Sequence, residues 1–299
     1  MDTTADACTD FYQYVCGGWM KNNPIPADQA RWSVYGKVYD ENQQFLRGLL
    51  ETASRPSPAR TAAEAKIGDF YGACMDTATI DRAGSTVIQP ELEEIRNLGS
   101  RKDLAAYLGG ARLAIAGGGL VFGFGANQDF GDSTKVIAFA TASGLSLPDR
   151  DYYTKTDAKS VELRQKFAAH VQRMLELLGT PPEKAAKDAA DVLDLETSLA
   201  KPALTRVEKR DPYKLYHLMT RAEVKAAVPS LDWDTYLQTL GVGTVTSVNV
   251  TEPAFFKELD RLIREESLDK WKTYLRFHVA RARAPYLSQV FVDEDFNFN

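Results

Sequence analysis

Apolar residues recur at helical spacing along most of this 299-residue chain, and the pattern changes character in only one long stretch. "TDFYQYVC" predicts a helix with Thr9 or Asp10 near its N-cap. Residues 27–52, after "NPIP", carry Val34, Val38, Phe45, Leu46, Leu49 and Leu50 near a 3.6-residue period. Two prolines in "SRPSPAR" break the chain before a further helix over 61–75. "TVIQPELEEIRNL" and "SRKDLAAYLGGARLA" predict short helices, the second capped by Ser100 with Asp103 in its first turn. Long helices are expected over 157–178 and 181–206. Thr220 and Glu223 have the spacing of a capping box, and Pro253 suits the first turn of a helix over 253–265. A last helix is predicted over 267–283. Between 119 and 143 the periodicity gives way to Val, Phe and Ile around "DFGD", which predicts a β-hairpin, and "GTVTSVNVTEP" reads as a short strand. The expected fold is mainly α, a multi-helix lobe with a small β-hairpin.

A 44% hydrophobic content over this length is enough for a sizeable core. The net charge of −5 comes from mixed charges, with no basic run woven with aromatics, so nucleic acid is not an expected partner. No membrane span is expected, because no apolar run reaches the roughly 18 residues that crossing requires. "MDTTADACTD" has no basic and apolar leader pattern. That suits either a cytosolic protein or a mature form whose leader has been removed.

Catalytic signatures are sparse. His170, His217 and His278 are far apart, and none belongs to H-E-x-x-H. His170 follows Phe167 by about one helical turn and reads as structural. No G-x-S-x-G elbow occurs. "GGGLVFGFG" (117–125) resembles a phosphate loop only in its glycines and reads better as part of the hairpin. "DEN" (40–42), "LPDRDYY" (147–153) and "VDEDF" (292–296) read as solvated or capping acidic segments. Asn249 in "NVT" fits the glycosylation acceptor pattern, which matters only in a glycosylating host.

The three cysteines, Cys8, Cys16 and Cys74, allow at most one internal disulfide. If residues 8–16 are helical, Cys8 and Cys16 are separated by a rise of about 12 Å. A disulfide needs Cα atoms roughly 4.4–6.8 Å apart. Their spacing fits neither C-x-x-C nor structural zinc. Buried free thiols remain one reading.

"CTDFYQYVCGGWMKNNPIPADQARWSVYGKVYDENQQFLRGLLE" resembles the N-terminal region of the M13 metallopeptidases, the neprilysin and endothelin-converting-enzyme family with its bacterial oligopeptidase O relatives. "RWSVYGKVYDENQ" is more similar to the endothelin-converting and bacterial branch. The resemblance continues through "KIGDFYGACMD", "GLSLPDRDYY", "RDPYKLYHLMT" and "YLRFHVARARAPYLSQVFVDEDFNF", and so spans nearly the whole chain.

The resemblance implies a zinc metalloendopeptidase that hydrolyses peptide bonds in oligopeptides. In that family H-E-x-x-H and a downstream E-x-x-x-D supply the zinc ligands and the general base. Both motifs belong to the C-terminal half, and H-E-x-x-H does not occur here. Zinc is therefore expected in the full-length enzyme and none in this chain, which is expected to be inactive alone. Residues 1–299 correspond to the N-terminal region of a two-lobed enzyme. Within them, residues 1–26 are expected to pack toward the catalytic lobe, and 27–299 to form a helical cap that admits short peptides. The expected partners are the C-terminal catalytic half and an oligopeptide substrate.

Arg31 matches a family arginine that reaches the cleft and contacts the C-terminal side of the peptide, so the resemblance implies substrate binding there. The alternative is a surface ion pair on the helix N-terminal turn. A second cleft arginine of neprilysin is matched here by Tyr39. Cys8, Cys16 and Cys74 match cysteines that bond to partners beyond Asn299, which implies an extracytoplasmic setting, periplasmic or secreted, and makes Met1 the start of a fragment. The other class of reading is a free-standing helical interaction module without catalytic activity. A peptidase fragment should expose a large apolar surface, and a free-standing module a closed polar one.

Overall fold

Capping chemistry sets the limits of the first helices in the computed structural model, which describes residues 1–114 and 119–299. The first two glycines of "GGGLVFGFG" thus lie outside the described residues. Two compact units are present, residues 1–76 and 77–299, and the expected change of role near residue 26 falls inside the first.

In the first unit, the Asp10 carboxylate accepts the Gln13 N–H and starts α1 at Phe11–Asn22. The Asp6 carboxylate holds the Cys8 N–H at 2.9 Å in the preceding turn. Asp10 is the N-cap as the sequence offered, and Cys8 lies outside the helix, so the condition of one helix across both cysteines is not met. Helix α2 runs Val34–Ser54 and not from residue 27. Residues after the prolines form a turn, in which the Gln29 N–H donates to the Pro26 carbonyl, and Ser33 then caps the helix by accepting from Gly36. Helix α3, Ala62–Met75, opens with a reciprocal Thr61–Glu64 capping box. It packs on α2 through a bare backbone contact. A Cβ on Gly68 would stand 2.0 Å from the Ala53 carbonyl oxygen, so only glycine fits. Arg60, in the connecting loop, donates to the same carbonyl at 2.9 Å and to Asp69 at 3.1 Å.

The second unit begins with α4 (Thr77–Ala83), α5 (Gln89–Arg96) and α6 (Asp103–Ala114). Ser100 does not cap α6 as expected. Asp103 instead turns its carboxylate back onto the N–H groups of Gly99 and Ser100, each at 2.8 Å. Strands β1 (Phe122–Gln128) and β2 (Val136–Ala142) form the expected hairpin, from Phe122↔Ala142 to Gln128↔Val136. The hairpin is half of a larger sheet. Strand β3 (Leu218–Thr220) and strand β4 (Ser247–Val250) complete the order β1-β2-β4-β3, with β4 parallel to β2 and antiparallel to β3.

Helices α7 (Asp151–Thr154), α8 (Ala158–Leu177) and α9 (Pro182–Ala200) follow the hairpin. Helix α10 (Arg221–Ala227) carries the expected Thr220–Glu223 capping box, and α11 (Trp233–Thr239) is capped by Asp232. Helix α12 (Pro253–Glu265) starts at the expected proline, ahead of α13 (Leu268–Arg283) and α14 (Gln289–Phe298). The core of this unit gathers Phe122, Trp233, Tyr236 and Phe256 on one side and Phe167, Tyr274 and Phe277 on the other, all buried. Among the described residues no helix is long and apolar enough to cross a membrane.

Asn249 sits fully buried on β4. Its side-chain oxygen accepts the His217 N–H at 2.6 Å and its amide donates to the Leu215 carbonyl at 2.9 Å. The acceptor pattern noticed in sequence is thus a structural latch, closed to a glycosylating enzyme in the folded state.

Candidate functional site

Arg31 stands at the end of the loop that Ser33 closes. Its side chain is exposed, and it has no ion pair among the described residues. The first turn of α2 holds no acidic residue that could pair with it. A cation at a helix N-terminus meets the positive end of the helix dipole, so this placement does nothing for the helix. The loop itself is anchored, because Lys37 on α2 donates to the Asn23 side chain at 3.1 Å. The result is an unpaired guanidinium, with five donors, presented from a fixed start of helix.

The helix that follows is unusual in what it leaves uncovered. Val34, Val38, Phe45 and Leu49 share about 60° of its circumference at 100° per residue. All four are exposed, Phe45 by 65% and Val38 by 53%. Tyr35, Tyr39 and Leu46 widen the exposed apolar arc, and Ile67 and Phe70 of α3 are exposed as well. The buried hydrophobic core contains nothing from residues 1–76. A 21-residue amphipathic helix with no covered apolar face is stable only when something else covers it.

The cysteines lie in the same unit and are free thiols, Cys8 and Cys74 exposed and Cys16 half-buried. Buried free thiols is therefore not their description.

The three histidines are not brought together. His170 Nδ1 lies 2.8 Å from a Glu294 oxygen, and His278 Nε2 lies 3.0 Å from Glu196. His217 is tied through its backbone to Asn249. Among the described residues no group of three histidine, cysteine or acidic side chains could hold a metal ion. The residues present do not fit a catalytic zinc, whose three protein ligands must converge.

The sequence reading missed a buried polar centre in the second unit. Glu196 on α9 is fully buried. It accepts from the Ser146 N–H at 2.9 Å, the Ser146 hydroxyl at 2.8 Å, the Tyr153 hydroxyl at 2.5 Å and His278 Nε2. An acceptor-only carboxylate fixes the imidazole tautomer with its proton on Nε2. Burial, then the Glu196 charge, pushes the Tyr153 phenol far above its ordinary value, so it stays a donor. The Tyr274 hydroxyl lies 2.7 Å from the carbonyls of Leu120 and Gly144. Gly144 has φ +79°, and a Cβ there would stand 2.5 Å from that hydroxyl. The signal was "GLSLPDRDYY", whose serine and tyrosine are the donors. "VDEDF" was also misread in part, because Glu294 is a histidine partner and not a solvated charge.

Comparison with known proteins gives the frame for this arrangement. The profile of peptidase family M13 matches residues 7–299. The chain is 29% identical over 313 residues to endothelin-converting enzyme 1 of Mus musculus, covering all of this chain and 39% of that one. It is 28% identical to an endothelin-converting enzyme homolog of Locusta migratoria, covering 98% of this chain and 42% of the other. Among solved structures, the Mycobacterium tuberculosis zinc metalloprotease ZMP1 in complex with an inhibitor superposes with a TM-score of 0.87 at 30% identity, over 100% of this chain and 45% of that one. This chain therefore spans about two-fifths of the length of the curated relatives it matches. With a profile match over nearly its whole length and the same fold as a solved member, the chain belongs to peptidase family M13, of which it is an N-terminal portion.

Proposed function

We propose that this chain is the N-terminal, substrate-gating part of a secreted zinc metalloendopeptidase that hydrolyses peptide bonds in oligopeptides. The observation that carries the reading is the uncovered apolar arc of α2, Val34 to Leu49, in a unit that contributes nothing to the buried core. A free-standing interaction module, the rival class, calls for a closed polar surface there. On the proposed reading a C-terminal catalytic part of the same enzyme covers the arc. That part also holds the zinc, which supplies Lewis-acid activation of water when bound.

This chain's own contribution is binding and exclusion. The helical unit limits which peptides reach the cleft and reduces water access to it. Arg31 offers paired N–H donors to a carboxylate or carbonyl on the C-terminal side of a bound peptide. Tyr39 at the second position gives no second cation for that end. The exposed thiols of Cys8 and Cys74, and Cys16, pair with cysteines outside this chain, in a periplasmic or extracellular setting.

The test is Phe45→Asp with Leu49→Asp in the full-length protein. These changes should abolish cleavage of a quenched fluorescent oligopeptide and open the protein to proteolysis within residues 1–76, with residues 77–299 still folded. Wild-type activity and protease resistance in that variant would overturn the reading.

A further inference from the structure

One cleft of the second unit, of about 600 Å³, is lined by charges already spent on one another. Arg206 pairs with Asp149, Lys155 with Asp151 and Lys166 with Glu162. The stronger feature is a buried titratable contact between two helices.

His170 lies on α8 and is 2% exposed. Its ring is stacked on Phe298 of α14, with centroids 4.4 Å apart and planes within 9°. Phe277 of α13 meets it edge-on at 6.0 Å. Nδ1 donates to Glu294 of α14 at 2.8 Å, while Nε2 is buried with no partner among the described residues. One helix thus lies on another through a neutral imidazole whose second nitrogen has no acceptor to receive a proton's hydrogen bond.

We infer that His170, with Glu294 and Phe298, is an acid-released latch that holds α14 against α8. Adding a proton to Nε2 creates a buried cation with an unpaired N–H, which the docked state disfavours and water relieves. The charged groups acting on the ring are Glu294 and Asp295 of α14 and Arg281 of α13. Those of the other helices packed on α8 are occupied elsewhere: Glu196 of α9 and Tyr153 of α7 bond each other, and Asp188 of α9 holds Lys184. Burial lowers the His170 value below that of a free imidazole, with Arg281 acting the same way and Glu294 and Asp295 opposing. Released, α14 uncovers Phe167 and Phe277 together with its own Phe291 and Phe298. Its other end is held by the Gln289 N–H donating to Asp81 at 2.7 Å, which does not depend on His170.

The sign follows from linkage. A histidine whose docked value is depressed contributes stability above its free value of about 6.5, and that stability is lost as pH falls toward the docked value. In this window the opening equilibrium of α14 rises by up to about tenfold per pH unit, the limit for one proton.

Hydrogen exchange across residues 289–298, corrected for the intrinsic pH dependence of exchange, reads this directly. Protection of α14 should fall between pH 7 and pH 5 while the amides of β1 and β2 keep theirs. His170→Phe keeps a ring against Phe298 and removes the titration, so its α14 protection should be flat over the same range. Glu294→Gln keeps an acceptor but removes the opposing charge, so its loss should extend to lower pH than in the parent. Flat protection in the parent, a parallel loss in His170→Phe, or a simultaneous loss over all of residues 77–299 would each overturn the latch.

Discussion

The Tyr153 hydroxyl bridges two groups that are distant in the chain: it accepts the Leu147 N–H at 2.7 Å and donates to the buried Glu196 carboxylate at 2.5 Å. Tyr153→Phe removes both bonds while keeping the ring packed against Phe167. Loss of a hydrogen bond to a buried charge costs about 1.5–3 kcal/mol. The urea midpoint of the second unit should fall accordingly, with an unchanged denaturant slope. An unshifted midpoint would show that Glu196 is satisfied without it.

Gly68→Ala should part the first helical pair. The new methyl group meets backbone at Ala53, which cannot swing aside as a side-chain tip can. Overpacking of this kind costs about 1–3 kcal/mol. Trypsin cleavage at Arg60, in the loop between the helices, should accelerate at least several-fold. Cleavage at the parental rate would place that contact elsewhere.

Asn249 should carry no glycan when the chain is made in a glycosylating host, because its side chain is fully buried in two hydrogen bonds. Intact mass decides this. Asn249→Ala should also destabilise the sheet by about 1–3 kcal/mol, since the His217 N–H and the Leu215 carbonyl lose their partner.

Thiol reactivity should report the three cysteines separately. Cys8 and Cys74, both exposed, should react rapidly with a thiol reagent in the folded chain, and Cys16 more slowly. Denatured without reductant, the isolated chain should still titrate as three thiols. A homogeneous internal bridge would count against pairing with cysteines elsewhere. The helix-spacing argument no longer forbids a Cys8–Cys16 bond, since Cys8 lies in a turn, so this measurement carries the question.

Arg31→Ala in the full-length enzyme should lower kcat/KM by about one to two orders of magnitude, from a lost bond of roughly 1.5–3 kcal/mol. Zinc content should be unchanged. Arg31→Lys should recover only part, because an ammonium cannot form a forked contact. Equal cleavage of free and amidated peptides at the parental rate would remove Arg31 from substrate binding.

Local chemistry made much of this fold readable in the sequence. Thr220 with Glu223 and Pro253 each act within one turn, and each starts a helix where the spacing predicted; Thr61 with Glu64 starts α3 by the same chemistry. Ser100 was misread because α6 starts three residues later, at Asp103, whose charged carboxylate accepts the N–H groups of Gly99 and Ser100. The parallel pairing of β2 with β4 joins Ala138 to Val248, and no local pattern encodes a partner so distant in the chain. Glu196 was invisible for a related reason: its donors come from residues 146, 153 and 278, and proximity in space is not written in spacing. Arg31 was singled out by resemblance alone, and its lack of a partner among the described residues could be seen only in three dimensions.

The bare arc of α2 also bears on the order in which such a protein is built. A ribosome releases residues 1–76 before residues 77–299, yet on the proposed reading their apolar face is covered by a part made after residue 299. Residues 77–299, with a core of their own, can collapse as soon as they emerge. Of the two units, the one made earlier is then the later to be buried. During that interval Phe45, Leu49 and Phe70 are open to chaperones and to wrong partners, so faster elongation or chaperone supply should raise the yield of the whole enzyme more than any stabilisation of the second unit.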